Sequence, residues 1–151
     1  GYLLNNKKEG HGKLYSDNYK YIGNFTNDYY DGIGKLYINN NLYYEGDFKL
    51  GSKHGKGILY KNNNKYYEGD FHNDSKQGNG ILYYENSNII QYYGAFVNDM
   101  RHGFGTIYFK NSKICYKGDW YCNMTNGYGE EYDIDGNLIY KGQWSYNNKT
   151  N

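Results

Sequence analysis

The side chains with the widest chemical reach, His11, His54 and His102, sit beside Gly-x-Gly pairs in corresponding regions of the chain instead of gathering with a carboxylate or a nucleophile. Acid–base catalysis needs a histidine within hydrogen-bond reach of a reacting group, so this recurrence speaks for a repeat and against a catalytic cluster. Cys115 and Cys122, the only cysteines, have neither Cys-x-x-Cys nor Cys/His zinc spacing and are expected to be free thiols. The Gly-x-Gly elements lack the third glycine and the following helix of a dinucleotide site, and Gly55-Lys56-Gly57 is no phosphate loop. No carboxylate pair, metal-spaced set or Ser/His/Asp order stands out. The expectation is a chain that is not an enzyme and carries no cofactor and no metal.

Cations offer a second kind of chemistry. Lys53, Lys56, Lys76 and Arg101 fall near corresponding hairpin ends, where they could line one edge and meet an acidic lipid surface. Asp31, Asp74 and Asp99 occupy the same turns, and each cation near an anionic membrane adds only about 1 kcal/mol. Lys plus Arg number 17 against 16 Asp plus Glu, which removes the basic excess that a nucleic-acid partner requires.

The elements that must position these groups follow from composition and period. A mean hydropathy of -1.05 and few aliphatic residues would by themselves suggest disorder. The aromatic content reverses this: 23 Tyr, 6 Phe and 2 Trp carry the buriable surface, and aromatics favour strands. Pro is absent and Gly abundant, so nothing in the composition interrupts a hydrogen-bonded ladder.

A Tyr-x-Gly-x-aromatic unit starts at Tyr21, Tyr44, Tyr67, Tyr92, Tyr116 and Tyr140, at spacings of 23, 23, 25, 24 and 24. A Gly-x-Gly unit follows it nine residues on, from Gly23 to Gly32, Gly46 to Gly55 and onward. All variation in length lies in the other connection, as expected of hairpins with a fixed turn joined by tolerant loops. Alternation places Tyr44, Gly46 and Phe48 on one strand face, with Glu45 and Asp47 on the other. Pairing Gly46 with Gly57 would set Tyr44 opposite Leu59, Phe48 opposite Gly55 and Asp47 opposite Lys56. The Asn39-Asn40-Asn41 and Asn62-Asn63-Asn64 runs in the variable connections read as solvated filler.

These units, best seen in residues 44–67, resemble the MORN repeat family, and the resemblance runs from about Gly1 to Trp144. It implies an all-β fold: an elongated single-layer antiparallel sheet of tandem β-hairpins. The hairpins are expected at 1–20, 21–43, 44–66, 67–91, 92–115 and 116–139, with a half repeat at 140–151. The chain opens and closes inside repeats, so it is expected to be part of a longer protein.

A single sheet leaves one aromatic face without a second layer, and contiguous exposed apolar surface marks a partner site. The expected groove is lined by Tyr44, Phe48, Tyr67, Phe71, Tyr92, Phe96, Tyr116 and Trp120. The resemblance implies a scaffold that binds a partner peptide or helix there, in a membrane-skeleton or cytoskeletal assembly. It also implies a cytoplasmic or membrane-peripheral place and homodimer formation through terminal repeats. The alternatives are acidic phospholipid (phosphoinositide) binding or membrane tethering, and a regulatory array of a larger enzyme. A different fold, an extracellular choline-binding solenoid, fits the fixed nine-residue spacing less well.

Overall fold

Two-residue turns with both φ angles positive bring the chain back on itself at Asn27-Asp28, Asn39-Asn40, Leu50-Gly51, Asn62-Asn63, Asn98-Asp99 and Cys122-Asn123. This is the backbone of the tight hairpin turn whose twist matches that of its flanking strands, and Asn tolerates it best after Gly. The Asn runs are therefore the turn residues themselves and not filler. The computed structural model describes residues 1–150, and among them there are fourteen strands and no helix.

The chain divides into two compact units, Gly1–Ser75 and a second that begins at Lys76. The first holds β1 (Tyr2–Leu4), β2 (Lys7–Tyr15), β3 (Tyr19–Thr26), β4 (Tyr29–Ile38), β5 (Asn41–Lys49), β6 (Ser52–Lys61) and β7 (Asn64–His72). The second holds β8 (Ser75–Tyr83) from its second residue on, β9 (Ile90–Val97), β10 (Met100–Tyr108), β11 (Ile114–Tyr121), β12 (Met124–Tyr132), β13 (Leu138–Ser145) and β14 (Asn148–Thr150). Within each unit, consecutive strands pair antiparallel in chain order, so the all-β single-layer sheet of tandem hairpins is as expected.

The longer spacings have a local cause. Where they occur, the two-residue turn gives way to loops closed by hydrogen bonds from the Tyr84 N–H to the Ile89 carbonyl (2.9 Å), Phe109 to Lys113 (2.8 Å) and Asp133 to Asn137 (3.0 Å). In the last, the exposed Asp133 carboxylate accepts from the Asp135 and Asn137 N–H groups at 2.9 and 2.8 Å.

The register carries one correction. Gly46 faces Gly57 and Tyr44 faces Leu59 as expected, but the ladder shifts beyond Gly46 and sets Phe48 against Lys53. Gly55, at φ 62°, takes the left-handed backbone of a bulge, and faces Phe71 across the β6–β7 pair instead. Asp47 therefore does not form the ion pair with Lys56; its Oδ2 accepts the Lys56 backbone N–H at 3.0 Å, and the Lys56 ammonium pairs with Asp70 at 2.5 Å.

Candidate interaction face

Tyr44 lies flat over the Gly46–Gly57 pair: a Cβ on Gly57 would run into its ring, and one on Gly46 would meet the Gly57 Cα. Glycine is thus required there to let the ring settle onto the backbone. The Tyr44 hydroxyl donates to the Asp47 carbonyl at 2.9 Å, three residues along. The same bond recurs from Tyr21 to Asn24 (3.0 Å), Tyr67 to Asp70 (3.1 Å), Tyr92 to Ala95 (3.0 Å), Tyr116 to Asp119 (3.1 Å) and Tyr140 to Gln143 (2.8 Å). Burial pushes the phenols of Tyr21, Tyr92 and Tyr116 up to about 12, and that of Tyr44 above its ordinary value as well.

The tyrosines meet neighbouring rings edge-on, and Tyr21, Tyr44, Tyr92 and Tyr116 each meet two. In the first unit, Tyr21 contacts Phe25 and Phe48 at 5.2 and 5.3 Å, Tyr44 contacts Phe48 and Phe71 at 5.0 and 5.3 Å, and Tyr67 contacts Phe71 at 5.2 Å. In the second, Tyr92 meets Phe96 and Trp120 at 5.2 and 5.7 Å, Tyr116 meets Trp120 and Trp144 at 5.3 Å each, and Tyr140 meets Trp144 at 5.3 Å. Edge-to-face pairs add about 0.5–1.5 kcal/mol each beyond area burial. The Trp120 indole N–H also donates to the Gly105 carbonyl at 3.1 Å.

These rows correct the expected groove. Tyr44, Phe48, Tyr67, Phe71, Tyr92, Phe96, Tyr116 and Trp120 are exposed by only 0–5% and form the core. The signal is mutual: within each unit, rings of neighbouring repeats cover one another, so a single layer can bury its aromatic row. On the ring face of each unit, what remains half-buried is a set of aliphatic side chains that alternate with the tyrosines in register. They are Leu14, Leu36 and Leu59 in the first unit, and Leu82 and Ile107 in the second.

Toward the hairpin turns, another set of side chains flanks the row. Tyr30 stands opposite Phe25, Lys53 opposite Phe48, Arg101 opposite Phe96 and Thr125 opposite Trp120. Tyr30 stacks on Tyr21 at 3.7 Å, and the Arg101 guanidinium lies over the Trp120 ring at 4.5 Å. A clamp holds this position: the backbone N–H groups of Lys8, Lys53, Lys76, Arg101 and Thr125 each donate at 2.9 Å to a turn side chain of the following repeat. The acceptors are Asp28, Asp74, Asp99, Asn123 and Asn147, in that order.

The four cations expected along one edge separate accordingly. Lys53 and Lys76 are largely buried and paired with Asp74 (3.0 Å) and Asp99 (3.4 Å), while Lys56 points to the opposite face. The β-bulge is the physical reason, because it turns Lys53 onto the ring face and leaves Lys56 on the other.

The opposite face is a ladder of ion pairs. Lys35 meets Glu45 at 2.8 Å, and the Tyr60 hydroxyl donates to Glu45 at 2.6 Å. Glu130 accepts from Lys117 (2.8 Å) and Lys141 (2.9 Å) on either side; hydrogen bonds from Lys117, Tyr132 and Lys141 hold its carboxyl down at about 2. Exposed pairs of this kind set register more than they stabilise. Ile33 and Phe104 project from this face, 71% and 63% exposed.

The histidines do not converge. His11 follows its bulge glycine, whereas His54 and His102 precede theirs, and their rings face His72 at 4.8 Å and Tyr121 at 5.1 Å. Cys115 and Cys122 are both free, and burial raises the Cys115 thiol.

A comparison with curated proteins finds no match. The MORN repeat model matches residues 1–19, 21–43, 44–65, 67–89, 92–113 and 116–138, one match for each hairpin repeat. Repeats of this type are generally interaction modules for proteins or membranes. With six matches in phase with the Tyr–Gly–Gly stacking and the bulge, the chain belongs to the MORN repeat family.

Proposed function

We propose that this chain is a non-enzymatic scaffold that seats a partner polypeptide on the face carrying the aromatic row. The contacts come from the rims on either side of the row and not from the rings. The observation that carries this reading is the aliphatic rim: Leu36 and Leu59 remain half-buried beside rings that are themselves fully enclosed. A partner that covered them would complete a burial that the single sheet begins, at about 25 cal/mol for each Å² of apolar surface removed from water. The opposite face, by contrast, spends its side chains on cross-strand ion pairs.

The pairing of Lys53 with Asp74 and of Lys76 with Asp99 favours a polypeptide over an acidic membrane, because paired cations add little to attraction by anionic lipid. The test is capture of polypeptides from a native lysate by the wild-type chain and a Leu36→Thr/Leu59→Thr variant, with folding verified by circular dichroism. Loss of a captured protein in the variant is expected; identical capture by both forms would overturn the reading.

A further inference from the structure

The clamp beside the aromatic row recurs with one difference in charge. At three of its positions the clamped residue is a lysine, and the clamping turn residue is an aspartate that also pairs with the ammonium: Lys8 with Asp28 (3.2 Å), Lys53 with Asp74 (3.0 Å) and Lys76 with Asp99 (3.4 Å). At Arg101 the clamp keeps its geometry, with the backbone N–H donating at 2.9 Å, but the acceptor is Asn123 and carries no charge. Among the described residues, the Arg101 guanidinium has no carboxylate at ion-pair distance and no hydrogen-bond acceptor. Its contacts are the faces of Trp120 at 4.5 Å and Tyr92 at 5.7 Å.

Such a guanidinium is prepared for an anion. The Trp120 and Tyr92 rings hold it in place, while its N–H groups stay unspent. A planar fork of donors held in one orientation matches a carboxylate in two parallel bonds with little entropy left to lose. The residue is only half-buried, so the fork remains reachable. Partial burial makes an uncompensated charge costly, and burial lowers the ease with which Arg101 holds its proton.

We propose that Arg101 is a carboxylate receptor, and that a polypeptide seated on the ring face of the second unit, beside Leu82 and Ile107, presents an aspartate or glutamate side chain to it. The proposal rests on the polypeptide reading given under Proposed function. A single carboxylate fits better than a lipid surface. Among the described residues, the other cations that flank the row in this unit are paired: Lys76 with Asp99, and Lys149, which lies over Trp144, with Glu131 at 2.6 Å. One unpaired cation balances one side-chain charge, whereas adhesion to an anionic bilayer draws on several.

The test uses a synthetic ten-residue glutamate-rich peptide, its glutamine counterpart and vesicles with ~20% phosphatidylserine, with binding read from tryptophan fluorescence and co-sedimentation at ~50 mM salt. The glutamate peptide is expected to bind the wild-type chain at least tenfold more tightly than the glutamine peptide. Arg101→Gln should erase that difference. Asn123→Asp should erase it too, because it supplies an internal carboxylate on a clamp already proven by Asp74 and Asp99, without loss of thermal stability. An absence of glutamate-peptide binding, or binding unchanged in both variants, would overturn the proposal. Vesicle binding that Arg101→Gln abolishes, with no binding of the peptide, would assign the site to a headgroup phosphate and overturn it as well. Failure at Arg101 leaves capture through Leu36 and Leu59 intact, so the two readings fail separately.

Discussion

The Tyr44 hydroxyl donates to the Asp47 carbonyl at 2.9 Å, and Asp47 is the residue that the β5–β6 register skips. One bond thus supplies a donor where the bulge disturbs the ladder and also fixes the ring over the Gly46–Gly57 pair. It explains why the repeat specifies tyrosine and not phenylalanine at a position with no exposure. Tyr44→Phe keeps the ring but leaves the carbonyl without this donor, and should cost about 1–3 kcal/mol in urea unfolding.

The glycine beneath the ring sets a steric limit. Gly57→Ala must push Tyr44 off the backbone and with it the edge-on contacts to Phe48 and Phe71. The expected loss is about 1–3 kcal/mol by overpacking, seen as a lower thermal midpoint. An unchanged midpoint would mean that the ring does not rest on this glycine pair.

The turn clamp separates two contributions at one residue. Asp74 has φ 70° and accepts the Lys53 backbone N–H at 2.9 Å. Asp74→Gly keeps the positive φ and loses the clamp, which should cost about 1 kcal/mol. Asp74→Ala loses both and should cost about 1–2 kcal/mol more. Equal midpoints for the two variants would contradict a role for the turn conformation.

The buried phenols give the protein an alkaline limit. The phenols of Tyr21, Tyr92 and Tyr116 stand at about 12 in the folded chain, above the ordinary 10. A group with a raised folded pKa contributes stability that is whole below its unfolded pKa and is lost as pH rises through its folded one. Stability is therefore expected to be unaffected by these groups below pH 10 and to decline between 10 and 12. Phenolate absorbance from these core tyrosines should appear only together with unfolding. A single stage with all tyrosines titrating near the ordinary value would contradict the burial.

Much of this architecture was legible in the sequence because it depends on spacing. The nine-residue interval and strand alternation lead to the Gly46–Gly57 and Tyr44–Leu59 pairs without any knowledge of packing. The Phe48–Lys53 pairing was not legible by alternation, which a bulge interrupts. The signal lay in the first glycine of each Gly-x-Gly unit, which a left-handed bulge requires at Gly55. Asn62-Asn63 between alternating strands is likewise a readable turn, but asparagine runs also occur in solvated linkers and so do not single it out. Burial of Phe71 and Trp120 could not be read from any one repeat, since the rings that cover them belong to neighbouring repeats. Nor did cation spacing distinguish Arg101 from Lys53; the difference lies in Asn123 and Asp74, one repeat further on.

The partner is expected on the face that carries the ring row. With a diazirine amino acid in place of Leu36 or Leu59 on the row face, or of Ile33 on the ion-pair face, photo-crosslinking of a captured polypeptide reads that contact directly. Crosslinks from positions 36 and 59 with none from 33 are the predicted result. Crosslinks from 33 alone would place the partner on the ion-pair ladder and contradict the account.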